Sequence, residues 1–394
     1  MVLHKISNMA FFLVFVPLVL TAEVHTVSTV SGTGSNEQSN LVIAAVGDVM
    51  MPGSLQDAVA KNKYNYSILF EKIALDLGAA DITFANLETP VDHTAAAAGY
   101  PAFNARPELL LALKKAGVDI VSLANNHAGD AGAGGLLRTL QNIEAAGLVV
   151  AGAGRTRAEA IAPVYLRSQG VMTSFLAYTY STNRGLPKKR KRAPAVNILR
   201  SGSQEDLAAA IIQVKQAPSH SDLVVVSLHW GDEYVSVPTP WQQQAAVELV
   251  EAGADVILGH HPHVLQPVES YTTKDGRKTI IAYSLGNFIS SQNNGVSARN
   301  KTAGRALRGD GVILTIYAEK KQGRTSIVRL AYQPIWSLHE KVGAATVFRP
   351  VSLSREIVKL SAIAKRTNKE EGELQLLTYR QKVILETIRA TPKP

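Results

Sequence analysis

Residues able to hold a cation recur in this sequence as short patches, each placed just after an apolar run. Gly47-Asp48 follows Leu41 to Val46, Asn86-Leu87-Glu88 follows Asp81 to Ala85, and Asn125-Asn126-His127 follows Val118 to Leu123. Further on, His229-Trp230-Gly231-Asp232 follows Leu223 to Leu228, and Gly259-His260-His261-Pro262-His263 follows Asp255 to Leu258. Ser284-Leu285-Gly286-Asn287 follows Thr279 to Tyr283. Carboxylate, amide oxygen and imidazole together suit Mn, Fe or Zn, and a pair of such ions can activate water and stabilise a leaving oxygen. The chain has no cysteine, which excludes thiolate ligands, a Cys nucleophile and disulfides.

Taken singly, each patch also has a structural reading. Asp48 could cap the turn after its strand, Glu88 could be a surface carboxylate before Pro90, and His127 or His229 could be a core imidazole bonded to a carbonyl. The group His260, His261 and His263 is harder to read that way, because crowded imidazoles repel one another once charged. A bound cation explains why they are gathered and neutral. Asp130, three residues after His127, is able to orient that imidazole if the intervening loop makes a helical turn.

The elements that must position these groups alternate. Short apolar runs at Leu41 to Val46, Asp81 to Ala85, Val118 to Leu123, Leu148 to Gly152, Val171 to Ala177, Leu223 to Leu228, Asp255 to Leu258 and Thr279 to Tyr283 read as strands. Segments of helical period lie between them at Ile68 to Leu77, Pro107 to Ala116, Gly134 to Ala146, Gln204 to Lys215 and Trp241 to Ala252. That alternation predicts an α/β fold, and in an open α/β sheet ligands bind outside the carboxyl ends of the strands, where the patches fall. Val312 to Tyr317 and Ser326 to Tyr332, joined around Gln322 and Gly323, predict an antiparallel hairpin.

The 394 residues are 46% hydrophobic and 19% charged, enough to bury a large core. A net charge of +9 favours anionic partners, and no motif points to nucleic acid, so none is expected. His4 and Lys5 before an uncharged stretch through Leu20 read as a signal peptide or membrane anchor over residues 1–22, with a flexible Ser/Gly/Thr/Asn linker over residues 23–40. The main domain is expected over residues 41–366 and a charged helical tail over residues 367–394. Lys188-Lys189-Arg190-Lys191-Arg192 reads as a solvated charge run or as a patch for an anionic polymer or lipid headgroups.

In order, Gly47-Asp48-Val49-Met50, Ala85-Asn86-Leu87-Glu88, the run from Ser122 to Asp130, His229-Trp230-Gly231, His261-Pro262-His263-Val264 and Ser284-Leu285-Gly286-Asn287-Phe288 resemble the motifs of the CapA-type poly-gamma-glutamate capsule synthesis family. The resemblance runs from about Leu41 to near Leu360. That family is similar to calcineurin-like metallophosphoesterases, which implies two β-sheets flanked by helices around a metal centre. The resemblance implies Asp48, Glu88, Asn126, His229, His261 and His263 as ligands of one or two divalent ions (Mn, Fe or Zn), with Glu88 bridging. It implies His127 as general acid or oxyanion partner with Asp130 beside it, and Asn86, Asn125, Arg106, His260 and Asn287 as substrate contacts. One position departs from the phosphoesterase pattern: Met50 stands where Asp-x-His would place an imidazole, and a thioether is a poor partner for hard ions.

The implied role is capsule polymer synthesis or export at the cell envelope, periplasmic or extracellular, beside other capsule synthesis proteins at the membrane. The partner would be an anionic polymer or a phosphorylated substrate. Three chemistries follow: a metal-dependent hydrolase or transferase, a non-catalytic factor that guides the polyanion, and a generic metal-dependent phosphodiesterase.

Overall fold

The structure is a computed structural model that describes residues 24–26, 38–186, 193–343 and 345–392. The leader expected over residues 1–22, most of the expected linker and the basic run Lys188 to Arg192 lie outside the described residues. Among the described residues, no helix is long and apolar enough to cross a membrane.

Two large sheets make up the molecule. One runs in the order Val24–Thr26, Val164–Ser168, Val171–Thr179, Leu223–His229, Val256–His260, Lys278–Ala282, Val268–Thr272. The other runs Ala345–Ser352, Arg324–Val342, Asp310–Lys321, Gln38–Val49, Ile82–Leu87, Ile120–Ser122, Val149–Ala151, with Asn287–Ile289 also paired to Gln38–Val49. The middle of each is parallel: Val171–Thr179, Leu223–His229, Val256–His260 and Lys278–Ala282 in the first, Gln38–Val49 through Val149–Ala151 in the second.

Parallel strands buried on both faces should be apolar at every position, with alternate residues serving different layers. In the Leu223–His229 strand, Leu223 and Val225 join the core between the sheets, while Val224, Val226 and Leu228 face a second core with the helices Gln204–Gln216 and Pro240–Ala252. Phe84 of one sheet stacks on Phe175 of the other, ring centroids 6.2 Å apart, which pins the two sheets face to face. The helices Glu108–Lys115 and Gly132–Ala145 add Leu109, Leu113, Leu136 and Ile143 to the same continuous apolar cluster. The result is a mixed α/β fold with two sheets flanked by helices.

Several elements differ from expectation. Ile68 to Leu77 is a 3-10 turn, Tyr66–Leu69, followed by the short helix Ala74–Leu77 rather than one helix. Its buried residues Tyr66, Ile68, Leu69, Phe70, Ile73 and Leu77 span too wide an arc for one face of a surface helix. The expected hairpin is present as Asp310–Lys321 and Arg324–Val342, but its second strand runs on and pairs with Ala345–Ser352. The charged C-terminal segment forms the helix Asn368–Ile388, opened by a capping box between Thr367 and Glu370, and buries Leu377, Ile384 and Ile388 against the body. Val24–Thr26, within the expected linker, pairs in parallel with Val164–Ser168.

Candidate metal centre

Strand register brings the patches to one level. Asp48 pairs with Asn86 on one side and Asn287 on the other, and His229 pairs with His260. Close packing of these strand ends demands glycine at two points. A Cβ at Gly47 would sit 1.9 Å from the Gly286 carbonyl oxygen, and one at Gly259 would sit 1.9 Å from that of Tyr283. Any side chain there would push Asp48 and His260 away from the junction. Beyond the strand ends, His261 and His263 adopt φ of 93° and 56°, left-handed values that non-glycine residues rarely take and that cluster at functional sites.

The donor atoms converge. Ligand atoms of Glu88, His229 and His261 lie within 4.8 Å of one another, as do those of Asp48, Glu88 and His263, and those of Glu233, His261 and His263. Glu88 belongs to two of these groups and His261 and His263 to two each, so the three form one continuous cluster. His229 Nε2 is 3.5 Å from Glu88 Oε1 and 3.0 Å from Asn126 Oδ1. His263 Nδ1 lies 3.1 Å from Asp48 Oδ2, and its Nε2 lies 3.7 Å from Glu88 Oε1.

Buried polar atoms are normally hydrogen-bonded. Here both oxygens of the fully buried Glu88 and Nδ1 of His261 have no hydrogen-bond partner among the described residues. Orphaned oxygen and nitrogen donors facing one another fit a divalent cation, which would satisfy them together. Electrostatics agrees with such crowding. Burial pushes the Glu88 carboxyl well above its usual range. Burial would also raise Asp48, but His260 and His263 outweigh it and hold that carboxyl well below. Burial drives His229 well down and His261 to about 3, each helped by a neighbouring imidazole. His263 is lifted to about 9, because Glu88 and Asp48 overcome its burial.

His127 and Asp130 form a dyad beside this cluster. His127 Nδ1 is 2.7 Å from Asp130 Oδ2, which also accepts the Phe103 amide at 2.8 Å, and the Phe103 ring meets the imidazole at 4.5 Å. The loop after the Ile120–Ser122 strand thus makes the turn that the His127 to Asp130 spacing requires. Asn125 Oδ1 accepts the His127 amide at 3.2 Å and locks that turn.

Asp48, Glu88, Asn126, His229, His261 and His263 are therefore brought together, with His127 and Asp130 alongside. Four expected substrate contacts are placed differently. Asn86, Asn125 and His260 are fully buried and Asn287 nearly so, all behind the donors. Asn86 Nδ2 donates to Asp48 Oδ1 at 2.8 Å, and Asn125 Nδ2 donates to the Leu87 carbonyl at 2.8 Å. Asn287 Oδ1 lies 3.1 Å from His263 Nδ1. His260 Nδ1 comes within 3.3 Å of Asp48 Oδ1, outside hydrogen-bond geometry, with its ring against Phe84. Strand pleat explains this: His260 ends its strand facing inward, while His261 and His263 lie on the loop. Arg106 is not in the cluster, since Glu108 engages its guanidinium at 3.1 Å and Tyr64 lies beneath it at 4.2 Å.

Sequence reasoning missed Glu233, an exposed carboxylate at the rim, and Tyr180, whose ring lies 4.8 Å from that of His261. Glu233 was in view beside Asp232, but nothing in the spacing chose between the two. Burial pushes the Tyr180 phenol up to about 12.

Several known proteins are similar to this chain in sequence. The capsule biosynthesis protein CapA of Bacillus anthracis is 32% identical over 286 residues, 71% of this chain and 67% of that protein. The PGA biosynthesis protein CapA of Bacillus subtilis is 35% identical over 251 residues, 63% of this chain and 62% of that one. A probable polyglutamine synthesis accessory protein of Mycobacterium tuberculosis is 29% identical over 222 residues, 55% of this chain and 57% of its own length. Among solved structures, a calcineurin-like phosphoesterase of Bacillus subtilis aligns with a TM-score of 0.42 at 14% identity, covering 90% of this chain and all of that one. The family described as bacterial capsule synthesis protein PGA_cap matches residues 42–292, the stretch that carries every donor of the cluster, and the chain belongs to that family.

Proposed function

We propose that this protein serves the synthesis or export of an anionic glutamate polymer at the cell envelope, and that its cluster is a divalent-metal centre for hydrolysis or transfer at a phosphoryl or amide bond. The observation that carries the metal reading is Glu88, a fully buried carboxylate whose oxygens have no hydrogen-bond partner among the described residues and which has imidazoles on two sides. The names of the relatives support the polymer. The leader-like residues 1–22 support an envelope location.

Asp48, Glu88, Asn126, His229, His261 and His263 would hold Mn, Fe or Zn. A cation there supplies Lewis-acid stabilisation of negative charge developing on oxygen. The protein's own contribution is orientation and proton handling. Asp130 fixes the His127 ring through Nδ1, leaving Nε2 without a partner among the described residues. From there His127 can hold a proton for a leaving oxygen or nitrogen. Asn86, Asn287 and His260 brace Asp48 and His263 from behind.

A second reading, a factor that grips the polyanion without breaking it, draws on Met50. Its sulfur takes a weak contact from Gln292 Nε2 at 3.9 Å at the position where a phosphoesterase would place a ligand. Elemental analysis of the purified full chain, with turnover of glutamate oligomers and of a phosphodiester probe, separates the two. Stoichiometric metal with turnover lost in His127→Ala is expected. Metal retained with turnover unchanged in that variant would remove catalysis through His127 and leave the gripping role. A chain that takes up no Mn, Fe or Zn would end both.

A further inference from the structure

One cation near the cluster has no counter-charge. Arg308 is partly buried, its Nε is buried without a hydrogen-bond partner, and among the described residues no carboxylate lies within ion-pair distance of it. Its guanidinium instead stands 3.8 Å over the ring of Tyr234. Arg106, by contrast, also sits on a tyrosine but is neutralised by Glu108.

Arg308 and Tyr234 are tied to the metal ligands from two directions. The Arg308 carbonyl accepts from Asn287 Nδ2 at 2.9 Å, and the same amide's oxygen contacts His263. Tyr234 lies one residue beyond Glu233, its ring is 6.0 Å from that of His263, and its amide donates to the Pro262 carbonyl at 2.7 Å. Gln292 joins Tyr234 to Asn287, donating to the Tyr234 hydroxyl at 3.4 Å and accepting from Asn287 Nδ2 at 3.0 Å. Tyr234 holds φ at 65°, a strained value for a tyrosine, kept although its side chain is exposed. A guanidinium held over an aromatic ring by cation–π attraction can still offer N–H groups to a planar oxyanion.

We infer that Arg308, seated on Tyr234, is the anion-recognition residue of this site and pairs with an oxyanionic group of the substrate, a carboxylate of the polymer or a phosphoryl group, on the His263 side of the cluster. The inference rests on the metal-centre reading above and adds to it the residue that selects negatively charged substrates. Arg308 binds and does not react. Its removal should leave metal uptake intact.

The test is calorimetric titration of the full chain, loaded with Mn, using a γ-linked glutamate oligomer and, separately, inorganic phosphate. Arg308→Gln should weaken one of the two by about tenfold or more, the scale of a lost hydrogen bond to a charged group, with bound Mn unchanged. Which probe suffers identifies the oxyanion. Arg308→Lys, which keeps charge but loses the fork, should recover only part of the affinity and guards against misfolding as the explanation. Affinity for both probes unchanged in Arg308→Gln would overturn the assignment while leaving the metal centre standing. A wild-type chain that binds neither Mn nor either probe would remove the underlying reading, and the inference with it.

Discussion

Two of the places where charge is buried among the described residues are built in opposite ways. At one, Arg380 of the C-terminal helix meets Asp310 at the start of the hairpin. Its Nε reaches Asp310 Oδ1 at 2.9 Å, its Nη2 bonds Oδ2, and its Nη1 donates to the Lys301 carbonyl at 3.0 Å. Burial pushes the Asp310 carboxyl up and the guanidinium pulls against it. Every charged atom there has a partner from the chain itself. At the strand ends, Glu88 and His261 are buried with atoms that have no hydrogen-bond partner among the described residues. A pair completed by the protein holds architecture together, whereas the unpartnered donors at the strand ends are what the proposed cation would satisfy.

The sharpest way to break this contrast is to remove one member from each place. Arg380→Met strands the Asp310 carboxylate and should destabilise the fold by about 3–5 kcal/mol, as loss of one partner of a buried pair does, read by denaturant unfolding. Asp310→Asn in the same background should return part of that loss. Glu88→Gln should behave differently in metal-free protein. It removes an unpartnered buried carboxyl and leaves stability unchanged or higher. If Glu88→Gln unfolds the apo chain as severely as Arg380→Met does, the two places are not distinct in kind.

Metal then sharpens the comparison at a smaller scale. Wild-type protein with free cation at 100 times the dissociation constant should gain about 2.7 kcal/mol over chelated protein, seen as a rise in melting temperature. Glu88→Gln should lose most of that gain, because one of the donors proposed to hold the cation is gone. Arg380→Met should keep it, although its baseline is lower.

The contrast also explains what the sequence could and could not reveal. The donors were legible because chemistry at parallel strand ends follows from local pattern: a buried apolar run, a glycine, then Asp48 or His260. Their roles were not, since only the pleat decides that His260 backs Asp48 while His261 and His263 face the cluster. Asn86 and Asn125 passed for substrate contacts for the same reason, as no pattern distinguishes a buried amide from an exposed one. Arg380 was read with the charged tail because its partner is 70 residues away in sequence. The strand Ala345–Ser352 was missed because Arg349 and Pro350 interrupt its apolar pattern. Pro350 is tolerated on an edge strand, and Arg349 is held by Glu340 across the ladder at 2.7 Å. The Arg308 and Tyr234 contact joins loops from distant parts of the chain and left no local trace.

A third charged contact lies between these extremes and should give the smallest effect. Asp92 is buried, but its partner Arg138 is a third exposed, and the two form a bidentate pair with both bonds at 2.6 Å. Arg138 first, then the Thr94 hydroxyl and amide, hold the Asp92 carboxyl far below its ordinary value of 3.8. A carboxyl depressed in the folded state adds stability that is fully present above the unfolded value and is lost as pH falls through the folded one. Acid unfolding of the wild type should therefore steepen below about pH 4, and Asp92→Asn should flatten that limb while changing stability at neutral pH less than either buried variant. Asp92 also grips the Asn104 side chain beside Phe103, but through its backbone amide and carbonyl, so those two bonds persist in Asp92→Asn and the variant isolates the carboxylate's pairing with Arg138 and Thr94. An equal acid limb in both proteins would show that Arg138 is held there by packing alone, because the carboxylate would then add nothing to the folded state that Asn lacks.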